Sequence, residues 1–179
     1  MINTIELKTI ESSDLEVIWK LAYQSEDKLW LNYDGPYFND EIPSLEMFIK
    51  DSQHLINGKH RKAIVYKQKI IGTVNAYFSD KGLKKWLEVG ISIFDSSLWN
   101  KGIGYQALKL WIAEMFDLYR DLPKIGLTTW SGNIGMMRLS EKLGLIKEAQ
   151  IRQVRYYNDK YWDSVSYGIL RTEWIKKSD

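Results

Sequence analysis

The stretch from Glu88 to Tyr105 constrains this chain more than any other. Glu88-Val89-Gly90-Ile91-Ser92-Ile93-Phe94 reads as the end of a strand beginning at Trp86, a polar connection follows, and Gly102 and Gly104 open a long helix reaching Tyr119. That helix is expected to carry the chain to a parallel strand at Ile125–Trp130, a right-handed βαβ unit. Free backbone N–H groups at its start, with the positive end of the helix dipole, suit an anion such as a phosphate, and Lys101 adds a cation. From the two glycines alone, a tight turn without a ligand reads equally well. A Walker loop would need Lys-Ser/Thr after Gly104, which is absent. A dinucleotide fingerprint tolerates Ala107 but belongs in a first βαβ unit, and this motif falls past mid-chain.

The remaining periodicity sets a fold class. Ile2–Ile10 reads as a strand with Ile5 and Leu7 on one face. Ser13 and Glu16 have capping-box spacing ahead of a helix with Leu15, Ile18, Trp19 and Ala22 in one stripe. A second helix is expected from Pro43, ending near Asn57-Gly58. Strands at 63–66 and 70–78 form a hairpin, Asn133 caps a helix ending at Gly144, and two closing strands, 147–157 and 161–171, flank Asn158-Asp159-Lys160. With no repeat or linker, residues 1–179 read as one domain: α/β, a mixed central sheet of six or seven strands with helices on both faces.

Composition removes several function classes. Cys is 0 and His is 2, so there is no thiolate nucleophile and no metal site is expected. A net charge of +2 argues against bulk attraction to nucleic acid or anionic lipid. Charges interrupt every apolar segment and the N-terminus lacks a signal pattern, so no membrane association is expected and a cytoplasmic location fits. His54 and His60 read as surface residues near a helix end.

Trp99-x-x-Gly102-x-Gly104 resembles the Gln/Arg-x-x-Gly-x-Gly/Ala loop of the GNAT acetyltransferase superfamily, with Trp in place of Gln or Arg. Asn133-Ile134-Gly135 through Glu141-Lys142-Leu143-Gly144-Leu145 is similar to that family's Asn-led helix ending in Glu-Lys-Leu-Gly-Phe. The tail, Tyr157 to Trp174, resembles the branch containing ribosomal-protein N-terminal acetyltransferases. The resemblance implies the acyl-CoA N-acyltransferase fold, with acetyl-CoA as co-substrate in a V-shaped gap between Trp86–Phe94 and Ile125–Trp130. It places the pyrophosphate on Trp99, Asn100, Lys101, Gly102, Ile103 and Gly104, with Tyr105 in the following turn. It sets pantetheine along the backbone of Ser92, Ile93 and Phe94, and Asn133 on the far wall. Lys142 and Arg138 either reach the CoA phosphates or form a solvated helix face, the second being favoured for Arg138.

Amine acetylation needs a proton acceptor, and Glu88, four residues before Ser92, has the spacing of a family Glu that works through water. Its bland alternative is a strand-edge Glu facing solvent or a salt bridge. Where many relatives carry a Tyr to protonate the leaving thiolate, this chain has Ser140, which could equally bond back to the Met136 carbonyl. Asp163 either faces the acceptor or makes a turn-associated salt bridge. Glu26–Glu46 is acidic and aromatic; Trp30, Tyr33, Asp34 and Tyr37 are the expected acceptor-binding residues, unless the segment is a solvated loop packed on the core. The leading expectation is an N-acetyltransferase for a primary amine: a protein N-terminus, polyamine or small amine. The alternative is a CoA-binding module without chemistry. Exposed tail aromatics make a homodimer a further expectation.

Overall fold

The computed structural model describes residues 4–178. A seven-stranded sheet, ordered β1-β2-β3-β4-β5-β7-β6, is built from β1 (Glu6–Thr9), β2 (Arg61–Tyr66), β3 (Lys69–Phe78), β4 (Leu87–Ile93), β5 (Lys124–Trp130), β6 (Ile146–Tyr157) and β7 (Lys160–Leu170). Five α-helices accompany it: α1 (Ser12–Trp19), α2 (Leu45–Asp51), α3 (Ile103–Leu118), α4 (Ile134–Leu143) and α5 (Arg171–Ser178). All neighbouring strands are antiparallel except β4 and β5, the parallel pair expected from the crossover through α3. The sheet is therefore mixed and seven-stranded. No helix among the described residues is long and apolar enough to cross a membrane.

Strand alternation divides the core in two. Leu87 and Val89 of β4 join Leu108, Trp111, Ile112 and Met115 of α3 and Ile125 and Leu127 of β5 on one face. On the other, Ile10, Leu15, Ile18 and Ala22 meet Trp30, Ala63 and Phe94. Of the inward positions expected on α3, Leu108, Trp111, Ile112, Met115 and Tyr119, the first four are 0 % exposed, whereas Tyr119 lies past the last turn and is half-buried. Burying such side chains contributes about 1.5–3 kcal/mol each.

Local signals went astray in several places. The expected first strand is shorter, and its residues 2 and 3 lie outside the described residues. The capping box at Ser13 and Glu16 does not form; α1 starts after Glu11, whose N–H donates to Asp14 Oδ2 at 2.9 Å, and Lys8 Nζ steadies the same carboxylate. After α1 the chain widens into one π-helical turn, Lys20–Gln24, and the Ala22 carbonyl there accepts the Trp30 indole N–H at 2.8 Å. The second helix starts at Leu45, capped by Ser44, rather than at Pro43, and ends at Asp51, short of Asn57-Gly58. The second closing strand stops at Leu170 because Glu173 accepts the Leu170 N–H and Arg171 starts a helix. His60 is no free surface group: it packs on Phe78 and hydrogen-bonds Tyr119 Oη, and burial lowers its pKa.

Candidate active site

The site begins where β4 and β5 part. They pair at Leu87 with Ile125 and at Glu88 with Gly126. Beyond that rung β4 stays with β3 as far as Ile93, and β5 stays with β7 as far as Trp130. The strands diverge, leaving a gap between 89–93 and 127–130. Phe94 N–H donates to the Ile71 carbonyl of β3. By antiparallel alternation, Ile91 and Ile93 then turn their backbone groups toward the gap. Of Ser92, Ile93 and Phe94, only Ile93 is therefore oriented to pair with a ligand strand through its backbone. The Phe94 ring lies in the core, edge-on to Trp30 at 5.0 Å.

At the apex stands Glu88, only 4 % exposed. Its Oε2 accepts from Tyr77 Oη at 3.0 Å and its Oε1 from Thr128 Oγ1 at 3.1 Å. Thr128 Oγ1 also lies 3.2 Å from Ser166 Oγ. Thr128 has one hydroxyl proton; once it is given to Glu88, Ser166 is the donor to Thr128. Burial, then the neighbouring carboxylate, raises the Tyr77 pKa, so the phenol remains a donor at neutral pH. Neither Tyr77 nor Thr128 was recognisable from sequence. Tyr77 is Glu88's partner in the β3–β4 register, and Thr128 follows Gly126 on the same face of β5.

Beyond the end of β4, Asn100 (φ 59°) and Gly102 (φ 79°) both take left-handed conformations. With Lys101 between them they curl the chain ahead of the 16-residue α3, a concave run of backbone suited to phosphate oxygens. Trp99 ties this loop down: its indole N–H donates to the Ile93 carbonyl at 3.0 Å. Tyr105 receives the Lys142 ammonium 5.2 Å from its ring centre, which brings that exposed lysine beside the loop. Asn133 caps α4 by accepting the Met136 N–H at 3.0 Å.

The expected acceptor residues have separate fates. Tyr33 bridges the two strand ends: its ring meets Trp99 edge-on at 5.5 Å, and its carbonyl accepts from Trp130 Nε1 and Asn133 Nδ2, both at 3.2 Å. Tyr37 packs on Trp130 and lies under the Arg155 guanidinium, 4.8 Å from its ring centre. Trp30 is a core residue, 7 % exposed. With Asp34 it lines a cavity beneath α1. Asp34 is open to solvent on one side, yet the surrounding walls push its carboxyl upward, against the pull of Arg61. Asp27 is tied to the Ser96 N–H at 2.6 Å, which lowers its pKa.

Ser140 takes its bland alternative, and Asp163 makes hydrogen bonds in place of the expected turn salt bridge. Ser140 is 0 % exposed and its hydroxyl donates to the Met136 carbonyl at 2.9 Å, so its proton is engaged within α4. Asp163 accepts from the Gln150 side chain and the Gln153 N–H, pinning the register shift of β6 and lowering its own pKa. It makes no ion pair among the described residues.

A mixed sheet with one splayed parallel pair, a carboxylate at its apex and an anion-suited loop at its open end is the architecture expected of an acyl-transferase. The chain belongs to the acetyltransferase (GNAT) domain family, whose model matches residues 4–146. Two proteins of Bacillus subtilis are similar along their length. "SPbeta prophage-derived uncharacterized N-acetyltransferase YokL" is 23% identical over 94% of this chain and 91% of its own. "Putative ribosomal N-acetyltransferase YdaF" is 24% identical over 95% and 93%. Among solved structures, a spermidine N-acetyltransferase from Vibrio cholerae, in complex with CoA and spermine, has a TM-score of 0.77 at 20% identity, covering 96% of this chain and 98% of that one. A GNAT-family acetyltransferase from Bacillus anthracis has a TM-score of 0.74 at 20% identity, covering 95% and 96%.

Proposed function

We propose that the chain transfers an acetyl group from acetyl-CoA to a primary amine by direct attack in a ternary complex. The observation that carries this reading is the buried Glu88 carboxylate at the point where β4 and β5 separate. Acetyl-CoA lies in the gap with its pyrophosphate on the 99–104 backbone and Lys101, and its pantetheine along β4. The neutral amine nitrogen attacks the thioester carbonyl carbon, the C–S bond breaks, and CoA thiolate leaves. Glu88 takes the proton that the nitrogen loses, directly or through one water. The Thr128 and Ser166 hydroxyls offer that proton a route outward, since Thr128 is exposed. The thiolate leaves without a donor from Ser140 and is protonated by solvent.

The test is amine-dependent release of CoA thiol from acetyl-CoA across a panel of peptides, polyamines and small amines, with the acetylated product identified by mass. One observation favours a second reading, a CoA-binding module without chemistry: Ser140 stands where a thiolate donor is expected and faces Met136 instead. CoA binding with no thiol release for any amine would select it.

A further inference from the structure

Beneath α1 and its π-helical turn lies a cavity of about 70 Å³, walled by Tyr23, Asp34, Arg61, Thr73, Ser92 and Phe94 among others. Its polar lining is unbalanced. Thr73 is 2 % exposed and its Oγ1 has no hydrogen-bond partner; Arg61 Nε is buried and likewise unpartnered. Two unanswered donors in one wall are costly to bury. Across from them Asp34 supplies a carboxylate, and no ion pair joins it to Arg61. Thr73 pairs with Ser92 and Arg61 with Asn75 across the sheet, so both donors come from rigid strands.

We infer that this cavity holds the head group of the acceptor, and that the acceptor is a small amine carrying a carboxylate, amino-acid-like rather than a polyamine. A carboxylate supplies two acceptor oxygens and a negative charge to the Thr73 hydroxyl and the Arg61 guanidinium. The ammonium of the same molecule faces Asp34 before it loses its proton. An oxygen-free polyamine leaves both donors unanswered. The volume is that of roughly two waters, enough for a head group and not for a whole extended amine. Ser92, in this wall, lies on the same face of β4 as Glu88 and four residues along it, so an acceptor held here extends along that face toward the base. The inference rests on the acetyl-transfer reading and narrows its acceptor.

The test compares amino acids with their decarboxylated amines: tyrosine with tyramine, lysine with cadaverine, histidine with histamine, and the other available pairs, with spermidine as the oxygen-free control. Calorimetry with CoA present should find a carboxylated member binding at least tenfold tighter than its amine. Arg61→Met and Thr73→Val should each abolish most of that difference, and Arg61→Lys should retain part of it. Thiol release should follow the same order, with KM for acetyl-CoA unchanged. Melting temperatures of Arg61→Met and Thr73→Val should hold or rise, because each removes an unanswered buried donor; a structural role would lower them. Equal binding within every pair, or a preference that survives Arg61→Met and Thr73→Val, would overturn the inference and leave the cavity to solvent. Carboxylate-selective binding without thiol release would support the head-group pocket and defeat acetyl transfer. Turnover of spermidine and of decarboxylated amines as fast as their partners, indifferent to Arg61→Met, would uphold acetyl transfer and defeat the pocket.

Discussion

Glu88 faces Gly126 across the last paired rung of β4 and β5. A Cβ at 126 would stand 3.3 Å from Trp86 Nε1, 3.5 Å from Glu88 Cγ and 3.6 Å from its Oε1. The glycine lets Trp86 and Glu88 lie close over β5, and with them the carboxylate reaches Thr128. The sheet thus presents a carboxylate at the point where its strands part, held by two hydroxyls from the strands on either side.

Those hydroxyls hold the Glu88 carboxylate in place, so removing one should misplace the base. Tyr77→Phe and Thr128→Val are each expected to lower kcat by about tenfold, about 1.4 kcal/mol of transition-state stabilisation. KM for acetyl-CoA should stay put. Unchanged kcat in both variants would remove these residues from proton handling.

Gly102→Asp should strip CoA affinity while the fold survives. A Cβ at 102 meets no atom within 4 Å, and Asp is among the residues that tolerate the left-handed φ of 79°. Its carboxylate would repel phosphate at the start of α3. A loss of at least about tenfold, 1.4 kcal/mol, is expected by calorimetry with CoA. Unchanged affinity would move the phosphate site elsewhere.

The order of elements was legible in the sequence because hydrophobic period and caps are local: Leu108, Trp111, Ile112 and Met115 announce α3 by themselves. Glu88 and the 99–104 loop could be proposed from sequence because one contiguous stretch contains them. Tyr77, Thr128, Arg61 and Thr73 could not, since each matters through a cross-strand register that only the assembled sheet defines. Trp30 and Ser140 mislead for a related reason: an aromatic in an acidic loop and a hydroxyl on a helix have two uses each, and tertiary packing decides. Here Ala22 takes the indole and Met136 the hydroxyl. Nothing in the closing segment announced α5, which depends on Glu173 reaching back to Leu170.

Arg171 closes the C-terminal end of α3. Its Nε donates to the Leu122 carbonyl at 2.9 Å, and a terminal nitrogen donates to Phe116 at 3.0 Å and to Tyr119, while the guanidinium lies over the Phe116 ring at 4.6 Å. Arg171→Met should cost about 1.5–3 kcal/mol. At roughly 2–4 °C per kcal/mol for a chain this size, Tm should fall by about 3–12 °C in calorimetric scans. Turnover at 25 °C should be nearly unaffected.

Tyr167 gives stability an alkaline edge. Its hydroxyl donates to Glu141 Oε1 at 3.0 Å, and burial, then that bond, pushes its pKa up to about 12. The unfolded value is about 10, so the contribution is complete below pH 10 and disappears as pH climbs from there to about 12. Tyr167→Phe should flatten this part of the decline. Denaturant midpoints of both proteins between about pH 8 and 11.5 would show it; parallel curves would mean the phenol ionises as freely folded as unfolded.

The most direct test of the catalytic account is turnover of Glu88→Gln beside wild type at saturating acetyl-CoA and acceptor, with acetyl-CoA affinity measured on the same preparations. Glutamine preserves the shape of the side chain and cannot take the proton. General bases contribute about 10²–10⁴-fold in rate. The account predicts a fall in kcat of that order with acetyl-CoA affinity intact. A variant that turns over like wild type across the pH range would contradict it.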